Sequence, residues 1–566
     1  MKLVNNNCNI DVVDGVLERY GVSKMELLNP SSEFKNGYEG MDRAVNRIKK
    51  AIETKENIGV LVDDDCDGFT SSAVLISYLN KLTDKVCRYF HDGKQHGLNN
   101  VIIDKIKESE VSLLVIPDAS SSDELLVKLP NIDIIILDHH LFEVEVPDNV
   151  IRVNNQNPNN VDSNPNLTGV GMVYRTLQNL DKALGVGYSE DDLDLVAIGQ
   201  IGDSSDYSEQ EARWIVNEGL NNLNNKLLKV MLKDRIDRMD IITGRDCSFE
   251  VIPYINAVTR IGTLDEKESL FKGLIQDSTL DEIQIVTRKR KDKVTKKFKF
   301  VEEEHNGYEL LFDDLVKIKK RQAKEIDKFV DVGIEKIYTD GGVVIAKAVG
   351  GVDTNLTGLI ASKLSNNFGR PTILITPRGS NVFIGSLRGK EERVKSLKNW
   401  CEGTNLFNWV QGHDNAAGCE IYEENILALV EKTKSIEVVE EIEVDYLSDT
   451  ITPRTIRQIY DNRGLFGGKV NYPKIGIVNK VFKKNMIIPR GEKTLVLKDE
   501  KQNIDYIIFN VSEEIRQQLL QGFSKTIKVD ILGEASVNYF LGRKNLQVVV
   551  DRIEISNQKE DFLFDF

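Results

Sequence analysis

Three short apolar runs near the start of the chain constrain its fold more than any other feature. They are "IGVLV" (58–62), "VSLLVIP" (111–117) and "IDIIIL" (132–137), and segments with helix-like periodicity separate them. Short runs rich in β-branched residues are typical of strands that are buried on both faces of a parallel sheet. The sequence therefore predicts an open α/β domain built around parallel strands.

Each of these runs leads directly into side chains that bind metal ions. The first is followed by "DDDCDG", the second by Asp118 and the third by "DHH". Parallel strands deliver their last residues to one edge of a sheet, where ligands bind. We therefore expect one crevice to hold the following seven residues: Asp63, Asp65, Asp67, Asp118, Asp138, His139 and His140. Carboxylates so close together raise one another's pKa unless cations neutralise them.

The ligand types indicate which metal such a crevice would bind. Carboxylate oxygens with one or two imidazoles suit Mn²⁺ or Mg²⁺ better than zinc. Two such ions about 3.5–4 Å apart are the usual apparatus of phosphoester hydrolysis. For any single residue a turn or a helix cap is an alternative, and for "DDDCDG" alone a calcium loop is another. All three strand ends together favour a metal centre.

Length and composition are those of a large enzyme. The 566 residues are 41% hydrophobic and 29% charged, which leaves room for three or four cores. We find no run of 18 apolar residues and no signal-peptide pattern at the N-terminus, so we expect a cytoplasmic protein with no membrane partner. The six cysteines form no CxxC pair, which argues against disulfides and against a zinc ribbon.

The net charge of −15 argues against nucleic-acid binding only superficially, because local charge matters more. The segment "RKRKDKVTKKFKF" (288–300) combines eight basic residues with two phenylalanines, and "KIKKRQAK" (317–324) is a second basic cluster. Basic residues with interleaved aromatics can bind a single strand through its phosphates and bases. A solvated hairpin or helix face is an equally good interpretation of either cluster alone.

The order of the acidic motifs resembles a known superfamily. A hydrophobic segment that ends in "IGD" (201–203) adds Asp203 to "DDDCDG", Asp118 and "DHH". Together they resemble the four motifs of the DHH phosphoesterases. The segments 208–223, 251–262, 355–375, 383–389 and 411–418 are similar to the RecJ single-strand exonuclease family, and the last three resemble its DHHA1 domain. The resemblance covers roughly residues 40–430.

The resemblance implies a metal-dependent exonuclease that degrades single-stranded DNA from the 5′ end to mononucleotides in DNA repair or recombination. Two Mn²⁺ or Mg²⁺ ions would bind in the crevice at the strand ends. Asp63, Asp65 and Asp118 would hold the first ion, and Asp67, Asp118, His139 and Asp203 the second. Asp138 would fix a histidine tautomer, and His140 would contact the phosphate as donor or general acid. The candidates for binding flanking phosphates are Asn256, Arg260, Ser386, Arg388, Gly412 and His413, although Arg260 and Arg388 could instead form surface salt bridges.

Some residues depart from the family pattern. Asp64 stands where an aromatic residue is usual, Ala119 and Ser120 stand in a segment that usually reads "VDxG", and Gln411 replaces a glycine. The last change adds a side chain where the backbone is expected near the substrate, which predicts an altered substrate path or reduced activity. We expect His91 and His96 to be structural or surface residues.

The sequence divides into five parts. Residues 1–254 are predicted to form a doubly wound DHH domain, 255–334 a helical connector with a basic hairpin, and 335–440 a smaller α/β DHHA1 domain. Five strand-like runs with one helix predict a β-rich, OB-fold-like nucleic-acid-binding domain over 445–556. The acidic, aromatic tail 557–566 could recruit a replication or repair protein, or could fold back on the chain's own surface.

Two other functions remain compatible with the sequence. One is a phosphodiesterase for short oligonucleotides or cyclic dinucleotides, and the other is a catalytically silent adaptor that binds nucleic acid or replication proteins. The long connector and the C-terminal domain argue against a two-nucleotide substrate. The complete set of metal ligands argues against an inactive adaptor.

Overall fold

The computed structural model describes residues 2–6, 11–203, 205–238, 240–292, 297–390, 393–436, 441–521, 525–540 and 543–555. The chain forms two compact units. The first unit comprises Met25–Glu325 with Gly467–Lys469, and the second comprises the described parts of Met1–Lys24, Ile326–Phe466 and Val470–Phe566. No helix within the described ranges is both long enough and apolar enough to cross a membrane. The predicted tail, 557–566, lies outside the described residues.

The elements are numbered in chain order. The chain begins with β1 (Lys2–Asn5), α1 (Val12–Arg19), α2 (Lys24–Leu28) and α3 (Met41–Glu53). The α/β part follows with β2 (Ile58–Val62), α4 (Cys66–Asn80), β3 (Val86–Phe90), α5 (Asn100–Lys107), β4 (Leu113–Pro117), β5 (Asp133–Asp138) and β6 (Val150–Asn154). Eight helices come next: α6 (Gly169–Leu184), α7 (Leu193–Gly202), α8 (Gln210–Asn221), α9 (Lys226–Met231), α10 (Lys233–Asp237), α11 (Gly244–Glu250), α12 (Ile252–Ile261) and α13 (Leu264–Leu274).

The first unit is built on a parallel sheet with the strand order β3-β2-β4-β5-β6. The predicted runs form β2, β4 and β5. The direction of winding reverses between β2 and β4, as in flavodoxin-like folds, and ligands bind at the carboxyl ends of the strands at such a switch point. The topology therefore fixes where the acidic motifs meet.

Both faces of this sheet are buried, which explains why its strands are continuously apolar. Val60 and Val115 belong to one core, whereas the neighbouring Leu61 and Leu114 belong to another core on the opposite face. Successive residues of a strand point to opposite faces, so each strand supplies both cores. The prediction of a doubly wound α/β fold is confirmed.

The region predicted as a connector consists of helices that precede and follow a two-stranded hairpin. After α12 and α13 the chain forms β7 (Ile283–Lys291) and β8 (Phe298–Asn306), which pair antiparallel as a hairpin. The long helix α14 (Gly307–Val332) follows. The basic segment of the sequence therefore lies on a hairpin.

The second unit contains two larger sheets. The first has the order β13-β14-β12-β11-β10-β9. Its elements are β9 (Ile334–Tyr338), β10 (Val344–Ala348), α15 (Thr357–Phe368), β11 (Thr372–Gly379), β12 (Val382–Arg388), α16 (Leu397–Gly403), β13 (Phe407–His413), β14 (Ala416–Tyr422) and α17 (Ile426–Thr433). Only β10 and β11 pair parallel within it.

The other sheet has the order β16-β17-β21-β22-β20-β19-β18. Its part of the chain contains β15 (Glu441–Val444), β16 (Tyr446–Ser448), α18 (Pro453–Asp461), β17 (Lys474–Lys483), β18 (Ile487–Pro489), β19 (Leu495–Asp499), β20 (Ile504–Ile508), α19 (Glu513–Leu520), β21 (Thr526–Phe540) and β22 (Arg543–Ile555). The five predicted strand-like runs form β17, β19, β20, β21 and β22, with α19 before the fourth. The predicted β-rich C-terminal region is therefore present.

The N-terminal segment lies in a different place from the one predicted. The sequence assigned residues 1–24 to the first domain, but β1 pairs parallel with β15 of the second unit. Leu3 packs against Ile442 and Val444, and Arg19 forms an ion pair with Asp445. This pairing joins residues more than 400 positions apart, and no local periodicity reports it.

Candidate metal centre

The acidic motifs meet at the switch point of the parallel sheet. Asp63 follows β2, Asp118 follows β4, and Asp138 is the last residue of β5. All three side chains are at most 2% exposed. The chain therefore buries three carboxylates at one sheet edge, as the strand-end pattern predicts.

The "DDDCDG" turn orients its carboxylates by helix capping. Asp65 is the N-cap of α4 and accepts a hydrogen bond from the Gly68 amide at 3.0 Å. Asp67 accepts hydrogen bonds from the amides of Gly169 and Val170, at 2.6 and 3.0 Å, at the start of α6. Free amides and the positive end of the dipole make a helix N-terminus a natural support for a carboxylate.

Asp118 has a backbone conformation that side chains rarely adopt. Its φ angle is +62°, and its amide donates to the carbonyl of Leu137 at 2.8 Å. A left-handed residue other than glycine is uncommon and clusters at functional sites. A Cβ atom added to Gly169 would lie 2.4 Å from the Asp118 Cβ, so only glycine permits α6 to approach this closely.

Three carboxylates surround the ring of His139. Its Nε2 atom lies 3.2 Å from Asp118 Oδ1, 3.7 Å from Asp203 Oδ2 and 3.9 Å from Asp67 Oδ2. Although both are buried, His139 Nε2 and Asp118 Oδ1 have no hydrogen-bond partner. A buried polar atom without a partner is costly in the absence of a ligand. The two orphaned atoms and their carboxylate neighbours fit a divalent cation.

Repulsion among the buried carboxylates also indicates a bound cation. Burial raises the pKa of Asp118 well above its usual range, and the charges of Asp67, Asp65, Asp63 and Asp138 raise it further. Burial also raises the pKa of Asp203 to about 6, although His139 opposes the shift. A cation bound between these groups would favour their ionised forms. The protein has thus assembled more negative charge than it can neutralise with its own nearby side chains.

A second group of ligand atoms lies beside the first and includes His96, which the sequence analysis expected to be a structural or surface residue. One ligand atom from each of Asp63, Asp65 and His96 lies within 4.8 Å of the others. His96 Nδ1 is 2.6 Å from Asp63 Oδ2, and the Gly97 amide donates to Asp63 Oδ1 at 3.0 Å. The available signal was the position of His96 in the loop that follows β3, because β3 is the neighbour of β2 and ends at the same sheet edge.

Asp138 and His140 form a hydrogen-bonded pair at the edge of the centre. His140 Nδ1 is 2.8 Å from Asp138 Oδ1, and the His139 and Ser121 amides donate to the same carboxylate. The bond to Asp138 raises the pKa of His140 to about 9, and the bond from His140 lowers the pKa of Asp138 despite its burial. The His140 ring is 59% exposed, so its Nε2 edge can reach a substrate.

Asp64 stands where the resemblance predicts an aromatic residue, and a buried lysine balances its charge. Lys267 on α13 donates to Asp64 Oδ1 at 2.6 Å and to the carbonyls of His91 and Gly93, both at 2.9 Å. The Gln95 amide donates to Asp64 Oδ2 at 3.0 Å. Asp64 and Lys267 therefore fasten the 91–97 loop, which carries His96, to the acidic turn after β2.

Basic residues lie beside the acidic centre. Asn256 and Arg260, predicted to bind substrate, are one turn apart on α12, and the Asn256 Oδ1 atom is buried without a hydrogen-bond partner. Arg260 interacts favourably with Asp65. Burial and repulsion from Arg260 lower the pKa values of Lys94 and Lys319. Such a cluster of cations is suited to a polyanion.

The remaining predicted substrate contacts lie in the second unit. Arg388 on β12 and His413 on β13 are both cross-strand neighbours of Ala416 on β14, so they share one end of that sheet. The Ser386 hydroxyl is 2.8 Å from that of Thr357, and Arg388 Nε donates to the Ser362 hydroxyl at 3.1 Å. Gly412 has a φ angle of +128°, which favours glycine. Their role as phosphate contacts stays a prediction.

Family models match both ends of the chain. The model of the DHH family N-terminal domain matches residues 57–200, and the model of the RecJ OB domain matches residues 442–552. The first interval contains most of the metal centre, and the second contains most of the seven-stranded sheet. These matches fall within two of the regions whose folds the sequence predicted, 1–254 and 445–556.

The similarity to curated proteins extends along the whole chain. A putative SPbeta prophage-derived single-strand DNA-specific exonuclease, YorK, of Bacillus subtilis is 31% identical over 98% of this chain and 98% of its own length. The single-stranded-DNA-specific exonuclease RecJ of the same organism is 26% identical over 96% of this chain and 67% of its own.

Among solved structures, RecJ of Thermus thermophilus in complex with Mn²⁺ superposes with a TM-score of 0.68 at 18% identity, covering 96% of this chain and 76% of that one. The same protein with Mg²⁺ gives a TM-score of 0.64 at 17% identity and covers 96% and 74%. At this identity the likeness concerns the fold.

Proposed function

The chain belongs to the RecJ family of DHH proteins, and from this premise we propose that it is a metal-dependent exonuclease that hydrolyses single-stranded DNA. The proposal rests mainly on one observation. Asp118 and His139 present buried, unpartnered ligand atoms to each other at the switch point of the sheet, with Asp67 and Asp203 beside them. A site built only for stability would not leave these atoms unsatisfied.

We assign two divalent ions, Mn²⁺ or Mg²⁺, to this centre. Asp63, Asp65 and His96 would hold the first ion, and Asp67, His139 and Asp203 would hold the second. Asp118, whose Oδ1 atom lies 3.2 Å from His139 Nε2 and which follows the strand next to β2, is the residue that would serve both ions. Carboxylate-rich sets with imidazoles are typical of these hard ions.

When bound, such an ion pair lowers the pKa of water and stabilises the charge that develops on a phosphate during in-line displacement. The protein's own groups then complete the chemistry. Asp138 accepts a hydrogen bond from His140 Nδ1 and so orients the ring, whose Nε2 atom also carries a proton in the imidazolium form. A histidine with a pKa of about 9 keeps this proton at neutral pH and can donate it to a phosphate oxygen or to the leaving group.

The neighbouring cations supply the substrate contacts. Arg260 and Lys94 lie close enough to the acidic turn to interact with Asp65, and they can pair with the phosphates that flank the scissile bond. Attack from the 5′ end, release of 5′-mononucleotides and a role in DNA repair or recombination are the finer parts of the proposal. They rest on the resemblance to the RecJ family.

The test is digestion of a single strand labelled at its 5′ or 3′ end, with Mn²⁺ and with EDTA. The proposal predicts immediate release of a labelled mononucleotide from the 5′-labelled strand, a ladder from the 3′-labelled strand, and no product with EDTA. A matched duplex should resist digestion. Cleavage restricted to dinucleotides would favour the short-oligonucleotide phosphodiesterase, and binding without any hydrolysis would favour the silent adaptor.

Recruitment of a replication or repair protein through the tail 557–566 also stays a prediction, since these residues are outside the described part of the chain. Deleting residues 561–566 tests it. The expected result is unchanged activity on naked DNA and unchanged thermal stability, with loss of stimulation by a partner. A drop in melting temperature with no change in partner binding would instead support a tail folded onto the protein.

A further inference from the structure

The hairpin β7–β8 of the first unit has two faces of opposite character. In its antiparallel register Lys289 is opposite Phe300, Lys291 is opposite Phe298, and Arg290 is opposite Lys299. Because side chains alternate across a strand, Lys289, Lys291, Phe298 and Phe300 point to one side and Arg290 and Lys299 to the other. We call these the lysine–phenylalanine face and the arginine face.

The cations of the arginine face are neutralised within the protein. Arg290 Nε donates to Glu303 at 2.7 Å, and Arg288 forms an ion pair with Asp313 of α14. Lys299 lies 3.6 Å from Asp292. This face also packs against the start of α14, where His305 Nδ1 is 3.0 Å from Glu309. The arginine face therefore attaches the hairpin to the unit and has its charges paired.

The lysine–phenylalanine face has the opposite properties. Phe298 and Phe300 are 62% and 75% exposed, which is unusual for two adjacent phenylalanines of one face. Among the described residues, neither Lys289 nor Lys291 has a carboxylate within ion-pairing distance. Their ammonium groups instead lie 4.9 and 6.0 Å from the centre of the Phe298 ring. This face offers unpaired cations beside exposed aromatic rings.

We propose that the lysine–phenylalanine face binds the single-stranded substrate, with Phe298 and Phe300 stacking on bases and Lys289 and Lys291 pairing with phosphates. The inference extends the proposed function, because it names a further contact for the same strand. Residues two apart on an antiparallel strand are about 6.8 Å apart along it. This is about twice the 3.4 Å rise per base of a stacked strand, so one base can insert between the two rings.

Charge complementarity favours a nucleic acid over an apolar protein partner. A purely apolar partner would have to strip water from Lys289 and Lys291 without giving them a counter-charge, which is unfavourable. A strand supplies a phosphate for each lysine and a π-face for each ring. Closer to the base of the hairpin the same side carries Ile283, Ile285 and Thr287 opposite Asn306, Glu304 and Glu302, so it bears two carboxylates and no cation. The proposed contact is therefore confined to the outer half of the hairpin.

The test measures the affinity of the full-length protein, with Mn²⁺, for a fluorescent phosphorothioate thymidine 20-mer that resists hydrolysis. Phe298→Ala with Phe300→Ala should weaken binding at least about fivefold, since loss of one stacked base costs about 1–3 kcal/mol. Phe298→Tyr with Phe300→Tyr should restore it. Lys289→Ala with Lys291→Ala should lower the slope of log affinity against log salt by about 1.4, or two phosphate contacts.

Lys299→Ala is the matched control, because it removes a cation from the arginine face of the same hairpin. Its affinity and salt slope should stay at the wild-type values. Wild-type affinity in the double phenylalanine variant would overturn the inference, as would an equal loss in Lys299→Ala. The proposed function fails separately: a wild-type protein that binds the 20-mer through this face, yet does not hydrolyse an ordinary strand, would contradict the nuclease assignment and leave the hairpin contact intact.

Discussion

Asp64 Oδ1 lies 2.6 Å from Lys267 Nζ, and neither side chain is exposed to solvent. The pair joins the metal-binding turn after β2 to α13. Burial raises the pKa of Asp64, and the attraction of Lys267 opposes this shift. At position 64, where the resemblance to the RecJ family led us to expect an aromatic residue, this chain has a buried charge together with its counter-charge. The departure therefore marks a different support for the same turn.

Lys267→Met should destabilise the protein by about 3–5 kcal/mol, because it leaves the Asp64 carboxylate buried without a counter-charge. The double variant Asp64→Leu with Lys267→Met should recover most of this loss, since an apolar pair of similar volume is often neutral or stabilising. The measurement is urea unfolding of the single and double variants. Equal stability of Lys267→Met and wild type would show that the pair is not ionised.

His96→Ala should weaken binding of the first metal ion by at least about tenfold, the loss expected even for a group that only supports a ligand. The second site should keep its affinity, because Asp67, His139 and Asp203 are unchanged. A Mn²⁺ titration followed by electron paramagnetic resonance distinguishes the two sites. His305→Ala is the control, since His305 pairs with Glu303 and Glu309 outside the centre. Two unaltered sites in His96→Ala would remove this residue from the ligand set.

Gly169→Ala should disrupt the centre, because its Cβ atom would lie 2.4 Å from the Asp118 Cβ. Either α6 or Asp118 must move, at a cost of about 1–3 kcal/mol. A shift of α6 would also take the residue-169 amide away from Asp67. Gly187→Ala is the matched control, as a Cβ there meets nothing within 4 Å. We expect Mn²⁺ affinity to fall only in Gly169→Ala. Normal metal binding and activity in this variant would contradict the close packing of α6 on Asp118.

Arg260→Ala should weaken single-strand binding and lower the slope of log affinity against log salt by about 0.7, the value of one phosphate contact. Lys434→Ala is the control, because Lys434 lies outside both basic clusters and pairs with Glu431, and its slope should equal that of wild type. Both slopes come from fluorescence anisotropy over a range of salt concentrations. An identical slope for wild type and Arg260→Ala would mean that Arg260 contacts no phosphate.

Strand periodicity made the position of the centre predictable. The β-branched runs identified β2, β4 and β5, and the rule that ligands bind at the carboxyl ends of parallel strands brought Asp63, Asp118 and Asp138 together. Local sequence carries this information, because each of these aspartates is the last residue of its strand or directly follows it. The C-terminal strands were predictable for the same reason.

The sequence did not reveal the roles of three residues. His96, expected to be structural, and Lys94 lie in an irregular loop, and Lys267 is a single lysine on helix α13 whose pattern does not distinguish it from a solvent-exposed lysine. Their roles depend on tertiary contacts between elements up to 203 positions apart. The pairing of β1 with β15 likewise depends on contact between two short strands that lie more than 400 positions apart in the sequence.

The most direct test of the metal centre is the single-turnover hydrolysis rate of Asp118→Asn on a 5′-labelled single strand, measured with its Mn²⁺ stoichiometry. Asp133→Asn, an exposed residue at the opposite end of β5, is the control. We expect that Asp118→Asn folds, binds fewer than two ions and retains less than about a tenth of the wild-type rate, while Asp133→Asn behaves as wild type. Two bound ions and a rate above that level in Asp118→Asn would contradict a bridging carboxylate at this position.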